Sequence, residues 1–294
     1  MDEQEWLAGR FEEHRSHLWR VAYRMLGSAA AADDAVQETW LRLSRADTSD
    51  VENLGGWLTT VVGRVCLNQL RSRGRRPDEP LGAEVPDPVV SREGAAGPED
   101  EALLADSVGL ALLVVLETLA PGERLAFVLH DMFAVPFDEI AEIMGRSPEA
   151  ARQLASRARR RVQGAAVPDP DRSRQRQVVD AFFAAARGGD FEALVAVLDP
   201  DVVLRADGGI ARPAATALVR GAAEVAARAI SFALPAAFVR PVLVNGAAGV
   251  VVADGDQPLS VMAFTVAGGR IVAIEVLADP DRLRELDLPD WTPE

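Results

Sequence analysis

The stretch from residue 77 to residue 100 holds five prolines and shows neither a helical nor a strand period. Proline fixes φ and removes a backbone donor, so such a run can continue neither a helix nor a central strand. It divides the chain and reads as a linker, with 81–105 as its acidic, proline-rich extent. A second, shorter break, GAAVPDPDRSR, covers 164–174. The chain has 294 residues, 49% of them hydrophobic, which is enough for two or three domains with separate cores.

Three blocks remain, and their periods differ. Residues 1–80 read as helices: Leu18, Val21, Ala22 and Met25 recur at three- and four-residue spacing. A second helix is expected near Ala32 with Asp33 and Asp34 in its first turn, and a long third over GWLTTVVGRVCLNQLRSRGRR. Residues 106–164 are helical again. From 175 to 290 two helices precede strand-like runs, FVRPVLVNG, AGVVVADG, LSVMAFTVAGG and RIVAIEVLAD, which are separated by Asn-Gly, Asp-Gly and Gly-Gly turn signals. The expected fold is therefore multidomain, two all-α blocks followed by an α+β domain.

Charge and reactive residues narrow the chemistry. The formal net charge is −14, and all 31 basic residues are arginine. Codon bias alone can produce that arginine preference, although arginine also suits bidentate contact with phosphate and base edges. The helical blocks are near neutral: residues 1–82 carry 11 Arg against 13 acids, and 107–164 carry 7 against 7. The acid excess lies in the first linker and the C-terminal block. The single cysteine, Cys66, rules out disulfide frameworks, and no histidine follows His130. No metal site and no cofactor are expected. No run of eighteen apolar residues suggests a membrane span, and the acidic N-terminus does not resemble a secretory signal, so a cytoplasmic location is expected.

The most basic segment is SPEAARQLASRARRRV, residues 147–162. Ser147 suits an N-cap and Pro148 the first helical position. Ala151, Leu154, Ala155, Ala158 and Val162 share one face, while Glu149, Arg152, Gln153, Ser156 and Arg160 share the other. FDEIAEIMG lies just upstream, with Gly145 at the turn. This is a helix-turn-helix pattern whose second helix can enter a major groove. An ordinary solvated surface helix would show similar charge but not the paired apolar faces, cap and turn. The helix at 56–76 offers a second basic surface, with Arg64, Asn68 and Arg71 opposite its core face and RSRGRR at its end. The positive end of that helix also suits the macrodipole.

In order, GSAAAADDAVQETWLRL, GWLTTVVGRVCLNQLRSRGRR and LAPGERLAFVLHDMFAVPFDEIAEIMGRSPEAARQLASRARRRV resemble the extracytoplasmic-function (ECF) sigma factors of the sigma-70 family. The resemblance implies that 1–80 is sigma domain 2 and 106–164 is sigma domain 4. It implies as partners core RNA polymerase, through the clamp coiled coil of its largest subunit, and promoter DNA. Asp34, Gln37, Glu38, Trp40 and Leu41 would dock on the polymerase. Arg64, Asn68, Arg71, Arg73, Arg75 and Arg76 would meet the −10 element, where the loop from Asp47 to Gly55 would capture a flipped base. Ser147, Glu149, Arg152, Gln153, Ser156, Arg157 and Arg160 would read the −35 element.

Residues 175–290 resemble a SnoaL-like domain, an α+β cone with a pocket. The resemblance implies a regulatory domain fused in cis, with Asp207, Gly208, Gly209, Asp279, Pro280, Asp281 and Leu283 as interdomain motifs. A related subgroup carries Trp-Leu-Pro-Glu-Pro in the linker; here that place reads Glu84-Val85-Pro86-Asp87-Pro88, without the tryptophan. Such a pocket could hold a small apolar molecule. The alternative is a cyclase-like enzyme fused to a helix-turn-helix regulator. With no His, Cys, Lys or Tyr in the last block, only carboxylates such as Asp180, Asp199, Asp201 and Asp207 could serve as acid or base, and turn or cap roles account for these equally. The chain is not expected to be an enzyme.

Overall fold

The computed structural model describes residues 3–46, 51, 53–72, 85–93, 110–163, 169–233, 235 and 238–289. Two compact units emerge, one of residues 1–77 with 115–164, the other of 78–114 with 165–294.

The first unit is helical. α1 (Glu3–Leu26), α2 (Ala29–Leu43) and α3 (Leu54–Ser72) bury Leu18, Val21, Met25, Ala32, Val36, Leu58, Val62 and Cys66. Ser28 caps α2, its hydroxyl accepting from Ala31 N. The helix therefore starts at Ala29, one turn earlier than expected. Asp33 and Asp34 fall in its second turn, where the dipole gives them little. In the same unit α5 (Pro121–Phe127) leads through a π-helical turn (Val128–Met132) to α6 (Phe137–Met144) and α7 (Pro148–Val162). Before them α4 spans Leu110–Glu117.

The two helical groups pack on one another within this unit. A Cβ added at Gly63 of α3 would lie 3.3 Å from Leu129 Cδ1 and 3.6 Å from Ile143 Cδ1, so the backbone of α3 comes close to the second group of helices. Arg124 of α5, 5% exposed, donates to Met25 O at 2.8 Å, satisfying a carbonyl that the end of α1 leaves without a helical partner. Phe133 sits edge-on to His17 (5.2 Å between centroids) and beneath the Arg24 guanidinium (4.7 Å). Burial there lowers the pKa of His17, and lowers that of Arg24 to about 10; the neighbouring Arg20 adds to both shifts.

The second unit is built on a seven-stranded sheet in the order β1-β4-β5-β6-β7-β2-β3. Its strands are β1 (Val90–Ser91), β2 (Leu198–Asp207), β3 (Ala217–Arg220), β4 (Val239–Val244), β5 (Ala247–Asp254), β6 (Gln257–Ala267) and β7 (Arg270–Leu277). Only β2 and β7 pair in parallel. The strands β4 to β7 fall on the four strand-like runs of the sequence, with Asn245-Gly246 and Gly268-Gly269 at positive φ in two of the turns. Helices α8 (Arg172–Gly188), α9 (Phe191–Val197) and α10 (Ala222–Ser231) cover one face. The core there gathers Val179, Phe182, Leu194, Val225 and the cross-strand neighbours Leu204, Ile274 and Phe264. A short α11 (Pro280–Glu285) follows β7. Among the described helices none is long and apolar enough to cross a membrane.

The opposite sheet face carries a buried ion pair. Arg205 and Glu275 are register neighbours on β2 and β7, 3.6 Å apart, and neither Glu275 oxygen has a hydrogen-bond partner. Burial raises the pKa of Glu275 from 4.5 to about 7, with Arg205 opposing the shift incompletely. The native state thus holds this proton more tightly than the unfolded chain. The contribution to stability is unaltered below about pH 4.5 and falls as pH rises through about 7. Glu275→Gln should remove that fall, by at most about 3 kcal/mol. In urea unfolding of the full chain, read by hydrogen exchange in β2 and β7, the variant should gain on the parent at pH 8 and not at pH 4.

Candidate nucleic-acid interface and linker clamp

The helix-turn-helix is set by local chemistry. Gly145 ends α6 at φ 63°, a left-handed conformation that costs a glycine little. Ser147 then caps α7 by accepting from Ala150 N at 3.3 Å. Ala151, Ala155 and Ala158 are buried, and their small size lets α7 lie close on α5 and α6. The opposite face is free: Ser147, Glu149, Arg152, Gln153, Ser156, Arg157 and Arg160 are all exposed. The Ser147 hydroxyl is occupied by its cap. Arg152 lies 3.6 Å from Glu149 and 5.6 Å above the Phe137 ring, which fixes the start of this face.

The arginine-rich end of α7 is sorted by pairing. Arg159 binds Asp131 (2.6 Å), and Arg161 binds Glu123 (2.8 Å), whose carboxylate also accepts from Ala120 N at the head of α5. These two arginines hold the helix to its own domain, while Arg157 and Arg160 remain for other partners. On α3, Arg64, Asn68 and Arg71 are exposed, and Arg64 also reaches Glu142 O at 3.3 Å. Arg73, Arg75 and Arg76 lie outside the described residues, as do Asp47 to Asp50 and Glu52 of the preceding loop.

On α2 the inner face buries Ala31, Ala32, Ala35, Val36, Thr39 and Leu43. That leaves Asp34, Gln37 and Leu41 exposed, with Glu38 and Trp40 partly so. Trp40 packs against Phe11 of α1 at 5.2 Å, and Gln37 and Trp40 line a groove of about 440 Å³ between the two helices. This surface offers an acidic and amide rim around an aromatic floor.

The third site lies in the second unit and is centred on Arg282, which lies within the 279–283 motif stretch. Its Nη1 donates to Asp207 Oδ2 at 2.6 Å, its Nε to Asp87 Oδ1 at 2.7 Å, and its Nη2 to Val85 O at 2.5 Å. Asp207 Oδ2 also accepts from Val85 N, and Asp207 Oδ1 from Gly209 N. Gly209 has φ 59°, and a Cβ on it would overlap the Asp279 carboxylate. Asp279 caps α11 by accepting from Asp281 N, Pro280 opens that helix, and Leu283 is buried. The 207–209 turn and the 279–283 stretch thus converge and close on the linker. Asp281 faces away, toward Arg284.

The linker is therefore no free coil over 85–93. Glu84 lies outside the described residues, but Val85 beside it is 1% exposed and fills the place at the clamp. Val89 and Asn245 exchange hydrogen bonds at 3.0 and 2.8 Å. Val90 and Ser91 then add strand β1 to the edge of β4. Glu93 closes the attachment on Arg176, which also holds Val242 O and Gly249 O. Asn245, at φ 48°, is marked in the sequence only as a turn residue and Arg176 by no motif; only the fold brings them to the linker.

Three of the four carboxylates weighed as acid or base have structural partners. Asp207 belongs to the clamp, Asp199 accepts from Asp201 N in a turn, and Asp180 is exposed 3.9 Å from Arg176. Inside the domain Phe182, Phe183 and Phe264 form a mutually edge-packed cluster, with centroids 5.4 to 5.8 Å apart.

Comparison with known proteins follows these surfaces. Residues 10–76 match the Sigma-70 region 2 family model and residues 109–162 the Sigma-70 region 4 model. The chain is 41% identical over 287 residues to the ECF RNA polymerase sigma factor SigJ of Mycobacterium tuberculosis, covering 92% of this chain and 91% of that protein. The crystal structure of SigJ superposes with a TM-score of 0.75 at 37% identity, over 96% of this chain and 100% of that one. The ECF RNA polymerase sigma factor SigE of Mycolicibacterium smegmatis is 30% identical over 152 residues and covers only 51% of this chain. Some relatives thus share the whole architecture and others only part of it.

The clamp makes a direct prediction. Arg282→Ala leaves two carboxylates facing each other without their cation and should cost about 2 kcal/mol or more of linker attachment. Amide exchange at Val85 and Val89 should accelerate at least tenfold, while β5 to β7 stay protected.

Proposed function

The chain belongs to the ECF RNA polymerase sigma factors, and we propose that it reads promoters through α3 and α7, docks on core polymerase through α2, and is restrained by its own C-terminal domain. The observation that carries the promoter reading is the exposed face of α7, where seven polar side chains stand on a helix whose other face is alanine-packed. Arg152, Gln153 and Arg157 are placed to meet base edges and phosphates of a −35 element. Arg64, Asn68 and Arg71, with Arg73, Arg75 and Arg76 beyond them, suit the −10 region. The acidic rim of α2 at Asp34, Gln37 and Glu38, around Trp40 and Leu41, suits a basic helical partner such as the polymerase clamp. The protein would then act in the cytoplasm, where the polymerase is.

Restraint follows from tether length. Between Ser72 and Leu110 the chain could extend to roughly 130 Å if free. Docking of 85–93 leaves 12 residues on one side and 16 on the other, so neither stretch can span more than about 45 to 60 Å. The span open to the promoter-reading domains is then decided by whether the linker stays on β4 and in the Arg282 clamp. The regulatory role of Asp207, Gly208, Gly209, Asp279, Pro280 and Leu283 is to build that clamp. A ligand would act on the same equilibrium only if it reached the phenylalanine-filled interior.

Three outcomes test this reading. Arg152→Ala or Gln153→Ala should cost about 1–3 kcal/mol in binding a −35 duplex and relax its sequence preference, without changing thermal stability. Gln37→Ala with Glu38→Arg should abolish recovery of core RNA polymerase in a pull-down; a helix-turn-helix regulator fused to an enzyme would be indifferent to that change. In transcription with purified core polymerase, Arg282→Ala and truncation after Arg161 should each alter promoter output, with Arg282→Ala raising it. Output unchanged by both would sink the regulatory role while leaving the promoter role standing.

A further inference from the structure

One groove of the first unit brings two arginines proposed for promoter contact, Arg71 and Arg157, together with a third that has no such role, Arg146. It measures about 300 Å³ and is lined by Arg71 at the end of α3, Arg146 in the turn between α6 and α7, and Arg157 on α7. Glu123, Met144 and Leu154 complete its walls. Among the described residues the side chains of Arg71, Arg146 and Arg157 have no hydrogen-bond or ion-pair partner, whereas Arg159 and Arg161 beside them are paired. Glu123 is already engaged by Arg161 and by Ala120 N. Three arginines from three elements therefore line one small space whose single carboxylate, Glu123, is already paired with Arg161.

Like charges brought together in a recess repel unless an anion lies between them. The convergence is also firmly held. Arg146 N bonds Ala141 O at 3.0 Å behind the left-handed Gly145, α7 is fastened by the Arg159 and Arg161 pairs, and α3 is fixed to this surface at Gly63 and through Arg64. Promoter contact would use Arg71 and Arg157 but accounts neither for Arg146 nor for the recess itself. A major groove takes a whole helix on its exposed face, whereas this recess lies between helices and has the capacity of a small-molecule site. Guanidinium forks match phosphate oxygens pairwise, and Met144 and Leu154 give an apolar wall beside them.

We propose that this groove binds a small phosphoanion of the diphosphate class, which bridges the end of α3 to the recognition helix and so favours the packed arrangement of the two helical domains. The phosphates would engage Arg71, Arg146 and Arg157. The anion could be inorganic or the diphosphate of a nucleotide, whose base would lie on Met144 and Leu154.

Calorimetric titration of the full chain tests this, with inorganic pyrophosphate and guanosine 5′-diphosphate as probes and sodium sulfate as control, at constant ionic strength. Arg146→Ala removes one fork. Gly122→Glu sends a carboxylate toward the groove, since a Cβ there would stand 3.1 Å from the mobile Met144 Cε. Circular dichroism confirms that each variant is folded. The expected result is saturable one-to-one binding, at least tenfold weaker in both variants and absent with sulfate. Equal affinity for the two probes assigns recognition to the phosphates alone; tighter nucleotide binding adds the apolar wall. No saturable binding of either probe, sulfate binding as tight, or parental affinity in both variants overturns the proposal.

Discussion

The Arg282 guanidinium is the contact on which the arrangement of the second unit turns. It neutralises Asp207 and Asp87 together and occupies the Val85 carbonyl, so three segments distant in sequence share one cation. A carboxylate pair drawn together without that cation would repel, and the linker would leave. The pieces around it exist to hold it in place: the Gly208-Gly209 turn presses against Asp279, Asp279 caps α11, and buried Leu283 anchors the helix that carries Arg282. What resembles two loop motifs in the sequence is a single ion-binding pocket for an arginine.

From that clamp the linker runs on as an added strand. Its attachment mixes a buried apolar residue, a reciprocal amide exchange, two residues of sheet pairing and an ion pair at Glu93. Each contact is modest alone, and the edge strand is short. A segment held by several weak contacts in series can dissociate cooperatively. The acid excess of the chain has part of its use here, since Asp87, Glu93 and Asp207 all face arginines of the second unit.

The first unit uses charge differently. Arg159 and Arg161 are fastened to Asp131 and Glu123, and Arg124 to the end of α1, so these cations are structural. Among the described residues, Arg152, Arg157 and Arg160 are ion-paired to no other helix and stand on the face that the alanine-packed side of α7 leaves outward. A count of arginines could not separate the two groups, because they alternate within SRARRR and are distinguished only by which carboxylate lies opposite.

The sequence alone determined the division into helical and α+β blocks, the helix-turn-helix, its exposed polar face and the four hairpin strands. These depend on periodicity, caps and turns, which act over a few residues. The acidic face of α2 was legible for the same reason, although the helix starts a turn before the position expected near Ala32, because Ser28 caps it. Only the tertiary structure decided that 85–93 becomes part of a sheet, that Arg282, Asn245 and Arg176 receive it, and that Arg71, Arg146 and Arg157 line one recess. Those contacts join residues tens to nearly two hundred positions apart, and nothing in a local pattern of hydropathy or charge fixes which distant edge, carboxylate or arginine will stand opposite.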